Sequence, residues 1–251
     1  MSAPGVGYRD SHTAPGYGRR YNRTYAHGYY AEQWRRLERP LVERLFAELR
    51  RRGSESYLDF ACGTGRITAV GAGYFRPTVG VDVSEAMLAE APDPGDGATL
   101  LLRDITEVPL GRRFDVVTAF RFFVNAETEL RRKALWAIRA HLEDGGTLVL
   151  NVHVNRSSVL GVVYRARNRL LGREVNRVLG HAEMAALLNE AGFEIVRTYW
   201  YGFLPRTGWY FPWLSQHCMA PVEWACGLLP FVPRSLAQSF IVVCRKAPAR
   251  R

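Results

Sequence analysis

The tightest constraint on this chain is the stretch from Tyr57 to Arg66. Tyr57-Leu58-Asp59-Phe60 has the pattern of a short buried strand. It runs directly into Ala61-Cys62-Gly63-Thr64-Gly65-Arg66 and then into a helical stretch. Glycines at such a junction let the backbone turn sharply and lie against a ligand, while the helix that follows offers free N–H groups and the positive end of its dipole. A glycine pair alone is weak evidence. About twenty residues on, however, Val79-Gly80-Val81-Asp82-Val83-Ser84 places an acid at the end of a second strand, where a carboxylate can accept both hydroxyls of a ribose. The pairing predicts a βαβ unit with a nucleoside-bearing cofactor in its crevice. Thr68 stands where a dinucleotide-binding GxGxxG needs its third glycine, which argues against an NAD enzyme.

The rest of the chain extends this unit. Apolar runs near 57–60, 78–83, 98–103, 114–120, 146–153, 193–201 and 239–245 read as strands, and 66–73, 84–91, 127–142 and 181–191 as helices. Alternation of this kind predicts an α/β fold, a Rossmann-like seven-stranded and mostly parallel sheet with helices on both faces. The long connection between the last two strands predicts that the sheet carries one antiparallel strand. Trp34, Leu37, Leu41, Leu45 and Leu49 recur at three- and four-residue spacing, which predicts an amphipathic helix from about Tyr29 to Arg51. Residues 1–28 are expected as a mobile tail and 29–251 as a single domain. Tyr21, Tyr25 and Tyr29, four apart, read either as a cover over the cofactor or as one packed helix face.

The chain of 251 residues is long enough to bury a sizeable core. It has no apolar run of the roughly 18 residues a spanning helix needs and no secretory signal pattern at its start, so the expected address is the cytoplasm. Cys62, Cys218, Cys226 and Cys244 lack ligand spacing, and no metal site is expected. The net charge of +10 is unevenly placed: residues 155–180 hold six arginines against one acid. There Val159, Leu160, Val163 and Leu170 interleave with Arg165, Arg167, Arg169 and Arg173, a pattern suited to an anionic membrane surface or a phosphorylated acceptor. Residues 202–238 are rich in aromatic side chains and proline, including Phe203, Trp209, Tyr210, Phe211, Trp213, Trp224 and Phe231. They suit a lid over an apolar acceptor, a lipid-facing surface, a homodimer interface, or plain packing over the sheet.

DFACGTGR (Asp59 to Arg66) and GVDVSEAML (Gly80 to Leu88) together resemble the class I S-adenosylmethionine-dependent methyltransferases. The resemblance continues through LLRDITEVPL, FDVVTAFRFFVNAE and LEDGGTLVLNVH, covering roughly residues 55–153, and SFIVVCRK (Ser239 to Lys246) looks like that family's last strand. It implies S-adenosylmethionine as cofactor. Ala61, Gly63 and Gly65 would line its methionine part, with Asp59 steadying the loop. Asp82 would hold the ribose, Val83 and Met87 would flank the adenine, and Asp104 and Ile105 would meet the adenine edge. Phe120 and Arg121 would sit where the fourth strand opens toward the methyl group.

Methyl transfer from a sulfonium is an in-line displacement from an activated donor, so positioning and desolvation supply much of the acceleration. An oxygen acceptor gains from a base, and His153, at the carboxyl end of the fifth strand beside Asn151 and Asn155, is the candidate. A histidine held structurally at a strand end is the alternative. Arg121, Asn125 and Tyr25 are candidate acceptor contacts, with Glu127 weaker. Ala119-Phe120-Arg121-Phe122 lacks the (N/D)PP(Y/F) of amino-methylating nucleic-acid enzymes, and there is no Pro-Cys nucleophile. Nucleic acid is therefore disfavoured. The expected acceptor is a small molecule, with a hydroxyl of a glycolipid, lipid-linked sugar or secondary metabolite foremost. An RNA-modifying enzyme and a non-catalytic cofactor-binding partner remain as alternatives.

Overall fold

Side-chain alternation on the strands divides the molecule into two cores. Tyr57, Val116, Val149 and Ile241 face one side of the sheet, while Leu58, Val117, Leu148 and Phe240 face the other, as period-two geometry requires. A computed structural model describes Ala14 and residues 16–172, 177–206 and 211–247. Its seven strands are β1 (Tyr57–Phe60), β2 (Thr78–Asp82), β3 (Ala98–Leu102), β4 (Phe114–Ala119), β5 (Leu142–Val152), β6 (Phe193–Tyr201) and β7 (Ser239–Lys246). They form one sheet in the order β3-β2-β1-β4-β5-β7-β6. All neighbours are parallel except β7, which runs antiparallel to both β5 and β6. The expected α/β architecture and its reversed strand are both present.

Chain order reverses between β1 and β4, so the crevice for a ligand lies beyond their carboxyl ends. The two non-glycine residues with φ in the left-handed region among the described residues, Ala61 (54°) and Arg121 (61°), directly follow or lie one residue beyond those two strands. Such backbone is costly for L-residues and clusters at functional sites.

Before the sheet come α1 (Tyr17–Ala26), α2 (Gly28–Gln33), a π-helical turn (Trp34–Glu38) and α3 (Arg39–Arg51). Helix α1 corrects the expectation of a tail through residue 28. Its docking explains the difference: Gly18 lies so close to the chain of 85–88 that a Cβ would overlap the Ala86 carbonyl. Residues 1–13 and 15 lie outside the described residues. The continuous helix expected from Tyr29 is interrupted because Pro40 has no N–H to give the preceding turn. That turn widens, with the Arg39 N–H bonding the Trp34 carbonyl, and it carries Glu38 into the interior.

After the first strands come α4 (Arg66–Gly71), α5 (Glu85–Leu88), α6 (Thr128–Ala140), α7 (Val159–Leu171), α8 (His181–Glu190) and α9 (Pro212–Leu228). Helices α3 and α4 cover one face of the sheet, α6 and α8 the other. The long connection from β6 to β7 contains α9. Proline is tolerated at its first position, and Pro221 sits inside it. Arg173 of the basic segment, and Trp209 and Tyr210 of the aromatic one, lie outside the described residues. No helix among the described residues is long and apolar enough to cross a membrane.

Candidate functional site

The glycine turn is anchored by a carboxylate that has no cationic partner among the described residues. Asp59 is buried, and its two oxygens accept from Thr68 Oγ1 (2.6 Å) and Thr118 Oγ1 (2.7 Å). Burial pushes its pKa up to about 6, against the opposing effect of these hydroxyls. Thr68, the residue that breaks the dinucleotide pattern, thus ties α4 to β1. Across the crevice Asp82 accepts from Gly63 N (2.7 Å) and Ser84 N (2.9 Å). Burial raises its pKa as well, opposed by backbone hydrogen bonds from Ser84 and Gly63. Met87 lies over the turn: a Cβ on Gly63, whose φ is +58°, would come within 3.0 Å of Met87 Cε. Val83 is exposed on the rim.

A second cluster gathers at the end of β4. Asn151 Oδ1 accepts the Arg121 N–H (2.7 Å) and fixes its left-handed backbone. Glu38, 1% exposed, accepts from Arg121 Nη2 (3.0 Å), Asn151 Nδ2 (2.9 Å) and the Tyr201 hydroxyl (3.0 Å). Burial alone would raise the Glu38 pKa. The Arg121 and Arg66 charges, with hydrogen bonds from Arg121 and Tyr201, outweigh it and hold the carboxyl below its ordinary value.

Tyrosines from α1 and α2 roof this cluster. The Arg121 guanidinium lies 4.3 Å from the Tyr25 ring centroid, and Arg66 stacks on Tyr25 (5.2 Å) and Trp34 (4.6 Å). Arg206 lies over Tyr30 at 4.5 Å. His153 is partly buried, and its Nδ1, like Arg121 Nε and Arg66 Nε, is buried without a hydrogen-bond partner among the described residues. Burial first and the Arg121 charge second bring the His153 pKa down to about 3, although Glu38 acts in the opposite sense. Its imidazole is therefore neutral at physiological pH.

The expected residues divide accordingly. Ala61, Gly63, Gly65, Asp82 and Met87 converge at the crevice, and Tyr25, Arg121 and His153 at the second cluster. The other residues singled out in the sequence make the following contacts. Phe120 packs into the core beneath α3, with Val42 and Phe46. Ile105 is buried in the opposite core, and Asp104 Oδ1 closes its own turn on Thr106 N (2.9 Å) and Oγ1 (2.7 Å). Asn125 braces Arg121, donating to its carbonyl (2.8 Å) and accepting from Arg177 at its own. Asn155 holds the chain before β7 through Ser235 O and Ala237 O. Sequence reasoning missed Glu38, Arg66, Tyr201 and Arg206. Glu38 left one signal, a lone carboxylate on the apolar face of the helix that carries Trp34 and Leu41.

The fold is Rossmann-like, with its crevice at the carboxyl edge of the sheet. The family model described as "Methyltransferase domain" matches residues 58–146, from the first strand of the sheet into the fifth. Over 99 residues the chain is 35% identical to the dTDP-3-amino-3,4,6-trideoxy-alpha-D-glucopyranose N,N-dimethyltransferase of Streptomyces venezuelae. That match covers 39% of this chain and 42% of the relative, less than half of its length. The structure resembles the magnesium protoporphyrin IX methyltransferase of Synechocystis PCC 6803, solved with bound SAH, with a TM-score of 0.64 and 18% identity over 95% of this chain and 97% of that one. It also resembles the N-methyltransferase NodS of Bradyrhizobium japonicum WM9, with a TM-score of 0.59 and 14% identity over 92% and 98%.

Proposed function

We propose that the protein transfers the methyl group of S-adenosylmethionine to a small-molecule acceptor, at a hydroxyl whose proton passes to His153. The observation that carries this reading is the neutral, unpartnered His153 Nδ1 held in the same cluster as Arg121, at the strand ends beside the glycine turn. The residues present fit the cofactor. Gly63 leaves space that a Cβ would fill, Asp82 presents a carboxylate at the end of β2, and Arg66 keeps a buried, unpartnered Nε beside the turn. In this reading Asp82 takes the ribose, Met87 and Val83 flank the adenine, and Arg66 serves the methionyl carboxylate. The cofactor supplies an electrophilic methyl group; the chain orients the acceptor, excludes water beneath α1 and α2, and accepts a proton at His153 Nδ1.

The amino-sugar relative favours a second reading, an amine acceptor, which attacks without a strong base. Transfer of labelled methyl into an extract of the source cells, with Asp82→Ala as control, tests both. An Asp82-dependent O-methylated small molecule is expected. An N-methylated product selects the second reading, label in RNA refutes both, and cofactor binding without any transfer favours a non-catalytic partner.

The arginine-rich groove among α6, α7 and α8, about 610 Å³, lends RNA little support. It shares no lining residue with the glycine turn, and there Arg132 and Arg156 already pair with Glu190 and Glu183. For α7, whose Val159, Val163 and Leu170 are exposed, we propose contact with an anionic membrane surface. Binding to phosphatidylserine vesicles but not to neutral ones supports this, whereas a lipid-independent dimer would assign the face to a second copy.

A further inference from the structure

The chamber under the tyrosine roof gathers more positive than negative charge. Arg66 and Arg121 share the Tyr25 ring, and Arg121 and Arg206 share the Tyr30 ring at 5.8 and 4.5 Å. Glu38 is the one carboxylate that pairs with any of these three arginines among the described residues, and Arg121 takes it. The next acid, Glu223, is turned to the backbone N–H groups of Gly202 (3.0 Å) and Phe203 (3.2 Å). Aromatic faces offset a cation by only about 0.5–2 kcal/mol, well short of the cost of a buried charge left unpaired. Arg121 is 8% exposed, and its Nε is a buried donor with no acceptor.

We propose that the methyl acceptor carries an anionic group, a carboxylate or a phosphate, held by Arg121 and Arg206 beneath Tyr25 and Tyr30. This rests on the methyl-transfer reading above and narrows its substrate class. Arg206, from the segment after β6, and Arg121, at the end of β4, supply the charge, and guanidinium forks suit planar carboxylate or phosphate oxygens.

The same anion acts on the base. His153 faces Arg121, Arg206 and Glu38, with the Ser239 hydroxyl on its carbonyl oxygen (3.3 Å). Burial, the largest cause, and the arginine charges both suppress its protonation, and an acceptor anion between the arginines offsets their part alone. An anionic acceptor thereby leaves Nδ1 a better proton acceptor than a neutral analogue of the same shape does.

The test is calorimetric titration of the SAH-loaded protein with inorganic phosphate and, separately, with acetate, for wild type and Arg206→Gln. At least one anion should bind with SAH in place, the preferred one identifying the group, and Arg206→Gln should weaken it about tenfold or more. SAH affinity, which also reports folding of the variant, should be unchanged. The inference is overturned if neither anion binds the SAH-loaded wild type, if Arg206→Gln binds it equally well, or if anion and SAH compete for one site. Failure of the wild type to bind SAH would instead take down the methyl-transfer reading beneath it.

Discussion

Asp59 and Glu38 are both buried carboxylates at the same sheet edge, yet they are held in opposite ways. Two threonine hydroxyls hold Asp59, and burial lifts its pKa to about 6. An arginine holds Glu38 in its charged form. The side around the glycine turn is thus held by backbone turns and by uncharged donors on carboxylates, and the side around Glu38 by paired opposite charges. The first should form whatever occupies the second. The second depends on every partner, because removing one charge strands another.

The largest expected effect follows from this dependence. Glu38→Ala leaves Arg121 buried without its carboxylate and should lower unfolding free energy by about 3–5 kcal/mol, read by urea denaturation. A loss under 1 kcal/mol would show that the chamber is not held by charge. Asp82→Ala should weaken SAH about 100-fold, since each hydrogen bond to a charged group contributes about 1.5–3 kcal/mol. Calorimetry checks this, and unchanged SAH affinity would dissolve the distinction between the two regions.

A smaller effect concerns the roof. Gly18→Val should push α1 off the Ala86 carbonyl and speed SAH release about tenfold without lowering the melting temperature by more than a few degrees. Stopped-flow displacement reads the rate. A further effect concerns pH. His153 has its pKa depressed from 6.5 to about 3, so its contribution to stability is complete above 6.5 and is lost as pH falls from there toward 3. Wild type should therefore lose stability relative to His153→Gln between pH 6.5 and 4; parallel curves would place His153 in a solvated setting.

The same contrast explains what the sequence disclosed. Gly63, Gly65, Asp82 and Met87 lie within one βαβ unit, where local backbone rules fix their positions, so the crevice was legible. The seven strands were legible as well, because each leaves a local apolar run. The chamber draws on residues 21–38, 66, 121, 151–153 and 201–206, and only tertiary contact reveals which of many arginines meet. Phe120 and Ile105 are buried, and burial at a strand end and exposure to a ligand leave the same apolar pattern in a sequence. Helix α1 was legible only in the four-residue spacing of its tyrosines, because its docking depends on a close approach at Gly18, in a stretch whose glycines otherwise suggest a loose tail.

The most direct test of the whole account pairs SAH binding with methyl transfer in His153→Gln. The account predicts SAH affinity close to wild type and transfer reduced about 100-fold or more, the range a general base contributes. Transfer at the wild-type rate, or SAH binding lost with it, would contradict a cofactor edge and an acceptor chamber that work as separate parts.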